Sequence, residues 1–109
     1  MIPIIIPAYE PDQRLIGLLK DLSEYNYGPV ILVNDGSGSA YQDLFQKAKE
    51  LISEKGVLLT HEVNRGKGRA LKTAFQYILE NLPEATGAVT ADSDGQHTKT
   101  AIVNVAEMM

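Results

Sequence analysis

Apolar positions along this chain fall into two alternating kinds of segment. Residues 2–6, 30–33, 57–59 and 87–91 are short runs rich in Ile, Val, Leu and Ala. They are too short for helices and apolar on both parities, as parallel strands covered on both faces are. Between them, Leu15, Leu18, Leu19 and Leu22 keep helical spacing, as do Leu44, Phe45, Ala48, Leu51 and Ile52, and then Leu71, Ala74, Phe75, Ile78 and Leu79. Each set makes one buried stripe. Ala101, Val105 and Met108, after Thr100, begin a further stripe that is still running at Met109. A fourth helix is therefore expected, and the end of the chain reads as cut. Strand then helix, four times, predicts a single α/β domain over residues 1–109. Its core is a Rossmann-like, open, mostly parallel sheet with right-handed crossovers, and ligands bind beyond the carboxyl ends of the strands.

In that topology the segments following the four strands share one edge of the sheet. They are Ala8-Tyr9-Glu10, Asn34-Asp35-Gly36-Ser37-Gly38-Ser39, Asn64-Arg65-Gly66-Lys67-Gly68-Arg69 and Asp92-Ser93-Asp94. Their polar, glycine-rich composition exceeds what short strand-to-helix turns require. A turn with a helix cap would use the same residues as Asn34 to Ser37, so that segment alone decides little. In the third segment, Gly66 and Gly68 let backbone approach closely while Lys67 brings an ammonium group to a helix start, a pattern suited to an anion. It is not a dinucleotide fingerprint, because Leu71 stands where a third glycine belongs, and P-loop spacing is absent. Tyr9 by itself reads as a ring covering the strand edge and Glu10 as a solvated charge.

Asp92 and Asp94 are two residues apart at a strand end, so a persisting pleat would point both carboxylates to one side, with the Gln96 carbonyl following. Oxygen donors of this kind suit Mg²⁺ or Mn²⁺. His97 reads as a loop residue, and His61 as a structural residue within a strand.

Composition narrows the function further. At 109 residues and 44% apolar, the chain has material for one small core. Its net charge of -4 argues against a nucleic-acid partner, which needs a broad basic face. Cysteine is absent, which removes thiolate chemistry and fits the cytoplasm. The opening residues carry neither a basic region nor an apolar run long enough for a signal peptide or membrane helix.

Taken together, Ile6-Pro7-Ala8-Tyr9, Val33-Asn34-Asp35-Gly36-Ser37, Asn64-Arg65-Gly66-Lys67-Gly68 and Asp92-Ser93-Asp94-Gly95-Gln96-His97 resemble the successive motifs of glycosyltransferase family 2. The resemblance covers the whole chain and corresponds to the nucleotide-binding, amino-terminal half of a GT-A catalytic domain. It implies a donor sugar linked to UDP, GDP or dTDP, an unidentified acceptor hydroxyl or phosphate, and transfer with inversion. Pro7, Ala8, Tyr9 and Glu10 would border nucleobase and ribose, Asp35 would recognise the base, and Lys67 would touch base or phosphate. Asp94 would be the principal ligand of Mg²⁺ or Mn²⁺, with Gln96 an additional one. Asp92 would contact ribose or the metal shell, and Ser93 would lie beside the nucleotide. Asn34, Ser93 and Pro11 depart from residues common in the family or in its polyprenyl-phosphate branch. The general base of such enzymes falls beyond the point matching Met109, so this stretch is expected to be inactive alone, within a parent that associates with membranes. Truncation would also leave the fourth strand as an exposed sheet edge, through which a homo-oligomer is expected.

Other classes fit less well. A haloacid-dehalogenase-like phosphatase would place its Asp-x-Asp after the first strand. Sugar nucleotidyltransferases want a basic, glycine-rich loop where Tyr9-Glu10-Pro11-Asp12 stands, and a calcium hand would need ligands at Thr90 and Ala101. A receiver-like domain lacks its paired acids after strand 1, and a non-catalytic nucleotide-binding module remains as the plain alternative.

Overall fold

A computed structural model describes residues 2–23, 29–52, 56–85, 87–91, 93 and 101–103. Its elements in chain order are β1 (Ile4–Ala8), α1 (Gln13–Ser23), β2 (Val30–Asp35), a 3-10 turn (Ser39–Tyr41), α2 (Gln42–Leu51), β3 (Val57–His61), α3 (Lys67–Asn81), β4 (Ala88–Thr90) and β5 (Ala101–Val103). The sheet runs in the order β3-β2-β1-β4-β5. β1 pairs in parallel with β2 and β4, and β2 with β3, while β5 joins β4 antiparallel. The predicted α/β fold with its mostly parallel sheet is thus observed.

Alternation along the strands sorts two cores onto the two faces. Ile4, Ile6, Ala8, Leu32 and Val89 pack with Leu15, Ile16 and Leu19 of α1 and Phe45 and Ala48 of α2. Ile5, Ile31, Val33 and Ala88 pack with Ala70, Ala74, Phe75 and Ile78 of α3 on the other side. Since successive side chains point to opposite faces, β1 and β2 must be apolar on both parities, and that is why they read as unbroken runs. Asp12 starts α1, its Oδ1 accepting the Arg14 backbone N–H at 2.9 Å.

Two expectations fail at the carboxyl end. Ala101, assigned to a fourth helix, lies in β5 instead, where Thr90 faces Ala101 and Ala88 faces Val103. Val105 and Met108 lie outside the described residues. A sparse stripe carries little helical signal, whereas Ala101-Ile102-Val103 is as suited to an edge strand once β4 offers a partner. The second correction follows from the first: β4 is an interior strand, so the exposed edge proposed to support a homo-oligomer is already taken by β5. Two boundaries also move. Asn34 and Asp35 belong to the end of β2, and Lys67 to Arg69 form the first turn of α3.

Candidate functional site

At β1 the chain reverses its direction of progress across the sheet: β2 and β3 lie on one side of it and β4 on the other. Such a switch point leaves a crevice beyond the strand ends. Here it is a cleft of about 330 Å³ lined by Pro7, Ala8, Tyr9, Asp35, Asn64, Gly66, Lys67 and Ser93. That volume is at the lower end of the range for small-molecule sites, which begins at about 300 Å³. Residues from all four strand ends meet in it.

Hydrogen bonds tie these ends to one another. Glu10 takes a left-handed backbone conformation, with φ 46°, and donates its N–H to Ser37 Oγ at 2.9 Å. Ser37 donates its own N–H to Asn34 Oδ1 at 3.0 Å. The segments after β1 and β2 are thereby joined. Gly36, at φ 72°, brings the end of β2 so close to the next segment that a Cβ would overlap Val63 and Asn64 backbone atoms.

Asp35 joins the end of β2 to the segment after β3. It lies on the same face as Ile31 and Val33, toward α3, and is paired in register with His61. Its Oδ1 accepts from His61 Nδ1 at 2.8 Å and the Arg65 N–H at 2.9 Å; its Oδ2 accepts from the Gly66 N–H at 2.9 Å and Asn64 Nδ2 at 3.2 Å. Four donors match the four acceptor positions of a carboxylate. Burial pushes this carboxyl up, but the bonds from His61, Arg65 and Gly66 outweigh it and hold the group below its ordinary value of 3.8. An ionised carboxylate only accepts, so His61 Nδ1 carries a proton. In the neutral ring Nε2 then accepts from Thr73 Oγ1 of α3, 2.8 Å away.

The remaining predicted residues are placed as follows. Tyr9 is 51% exposed at the cleft wall, and the Glu10 carboxylate beside it raises its phenol above 10.0. Glu10 is joined to Ser37 but is not part of the cleft lining. Lys67 is the first residue of α3, whose N-cap, Gly66 at φ 93°, gives no side-chain cap to the first turn. Ser93 lines the cleft. Asp92, Asp94, Gln96 and His97 lie outside the described residues. Among the described residues no three His, Cys, Asp or Glu gather as a metal site, and no helix is long and apolar enough to cross a membrane.

Sequence reasoning gave Asn64 no role of its own, although it stands in the polar segment around Lys67 and lines the cleft beside Gly66. His61, read as a structural residue within a strand, does lie in β3; its partner Asp35 is 26 residues away, and only the strand register brings the two together.

Comparison with known proteins agrees with this architecture. A protein of Methanococcus voltae, UDP-N-acetylglucosamine–dolichyl-phosphate N-acetylglucosaminyltransferase, is 30% identical over 98% of the chain and 46% of its own length. An uncharacterised protein of Methanocaldococcus jannaschii is 32% identical over 86% of the chain and 35% of its own. The chain thus spans less than half the length of either relative. TarS residues 1–349 of S. aureus share the fold with a TM-score of 0.67 at 20% identity, over 85% of this chain and 27% of that one. The family model described as Glycosyl transferase family 2 matches residues 4–109, and the chain belongs to that family.

Proposed function

We propose that residues 1–109 bind the donor of a metal-assisted glycosyltransferase, a sugar linked to UDP, GDP or dTDP, for inverting transfer to an acceptor hydroxyl or phosphate. The observation that carries this reading is the single cleft to which all four strand ends contribute. Pro7, Ala8 and Tyr9 would border the nucleobase and ribose. The Tyr9 ring is exposed enough to lie against a base, and its phenol stays protonated and able to donate at neutral pH. Asp35 would act on the nucleotide through residues 64–66, since its own acceptor positions are filled. Lys67, at the uncapped start of α3, would face the diphosphate. The name of the Methanococcus voltae relative supports a UDP-linked donor and a lipid-phosphate acceptor. The absence of cysteine fits a cytoplasmic site.

Asp94, with Asp92 and Gln96, would hold Mg²⁺ or Mn²⁺. Their donors are all oxygen, the chemistry these ions prefer, and Ser93, between the two acids in sequence, lines the cleft. When bound, the ion would offset charge on the departing diphosphate.

Calorimetric titration of UDP, GDP and dTDP, each with and without Mn²⁺, tests this. At least one should bind with Mn²⁺, and Asp94→Ala should weaken it by about tenfold or more, the scale of loss when even an outer partner of a metal ligand is removed. Binding indifferent to both Mn²⁺ and Asp94→Ala would refute the metal assignment. Hydrolysis of phosphate esters abolished by Asp92→Asn would replace the reading with a phosphatase.

A further inference from the structure

The geometry points to His61 as a positioning residue that holds residues 64–66 in the wall of the cleft by way of the Asp35 carboxylate. This rests on the reading of the cleft as a nucleotide site for its effect on binding, though not for its effect on the wall itself.

His61 is not part of the cleft lining. Its side chain is 10% exposed and that of Asp35 4%, and both ring nitrogens are engaged, Nδ1 with Asp35 and Nε2 with Thr73. The other three donors to the Asp35 carboxylate, Asn64, Arg65 and Gly66, all come from the short stretch leading into α3, and two of those residues line the cleft. Among the described residues, the further hydrogen bonds of that stretch run from Asn64 Nδ2 to the Asp35 carbonyl at 3.2 Å and from the Ala70 N–H to the Gly66 carbonyl at 3.1 Å. Residues 64–66 are therefore held largely through one carboxylate. The orientation of that carboxylate is set by His61, the one donor to it that stands on a strand and is anchored at its far side by a helix. Without it, a buried anion would lose one of its four donors, and the carboxylate would turn away from residues 64–66 or draw in water at the expense of the loop.

The two nitrogens of His61 can be separated by substitution. Asparagine places an amide donor near the position of Nδ1 and keeps the bond to Asp35. Glutamine reaches the position of Nε2, keeping Thr73 and losing Asp35. Backbone amide exchange by NMR should show protection of the Arg65 and Gly66 N–H groups in the parent and in His61→Asn, and its loss in His61→Gln and His61→Ala. In the Mn²⁺ titrations with nucleoside diphosphate, His61→Asn should bind within about twofold of the parent and His61→Gln about tenfold more weakly, as loss of a hydrogen bond to a charged group predicts. A merely structural histidine would give both variants the same loss. Equal protection in His61→Gln and His61→Asn, or equal affinities, would overturn the proposal; should His61→Ala fail to fold, that pair still decides. If the exchange pattern appears as expected while the parent binds no nucleotide, the positioning role stands and the nucleotide reading of the cleft falls.

Discussion

Asp35 shows how one side chain links stability to the site. Its carboxyl is buried, yet its ionised form is favoured by hydrogen bonds from His61 and from the Arg65 and Gly66 amides. A group whose folded pKa lies below its unfolded one contributes stability that is complete above the unfolded value, here 3.8, and is lost as pH falls through the folded value. Asp35→Asn should therefore be less stable at pH 7, by about 2 kcal/mol for bonds to a charged acceptor. It should also lose less than the parent on acidification below pH 4, a range near the ordinary carboxylate pKa. Urea denaturation at pH 7 and pH 3 measures both. A gap that stays the same at the two pH values would show that the substitution acts by shape and not by charge.

Among the elements, the two cores explain which helices tolerate change. α3 buries Ala70, Ala74, Phe75 and Ile78 against the sheet, and its first turn meets the cleft, so fold and site constrain the same 15 residues. α1 turns Leu15, Ile16 and Leu19 inward and leaves Gly17 on its solvent side, with nothing within 4 Å of where a Cβ would be. Glycine within a helix costs backbone entropy that alanine does not. Gly17→Ala should raise stability by about 0.5–1 kcal/mol. Thermal denaturation should place its midpoint a few degrees higher, and a lower midpoint would mean that this face of α1 is covered.

At the scale of the whole molecule, the proposed reading separates binding from turnover. Among the described residues, two ionisable groups at or behind the cleft, buried Asp35 and partly buried His61, are engaged in internal hydrogen bonds. Neither is placed to take a proton from an acceptor hydroxyl, which a general base must reach directly or through one water. On the proposed donor-binding reading, the 109-residue chain is expected to be stabilised by nucleoside diphosphate with Mn²⁺ while transferring no sugar. A ligand at 100 times its Kd adds about 2.7 kcal/mol, which should raise the unfolding midpoint by several degrees. Release of nucleotide from a nucleotide sugar above the buffer rate would overturn the second half of that expectation.

The amino-acid pattern by itself determined the order of strands and helices as far as β4, the parallel pairing among those strands and the edge at which the polar segments gather. Local periodicity encodes each of these, and the handedness of crossovers leaves few ways to assemble them. The motifs also identified the family, because four segments in fixed order carry far more information than any one. Only the tertiary structure decided the rest. Ala101 to Val103 became a strand because β4 had an edge to pair, which no local propensity expresses. Asp35 became the anchor of residues 64–66, and His61 its support, because parallel register sets β2 and β3 side by side. Contacts between residues distant in sequence leave no periodic trace; they exist only once strand pairing has fixed which side chains share a face.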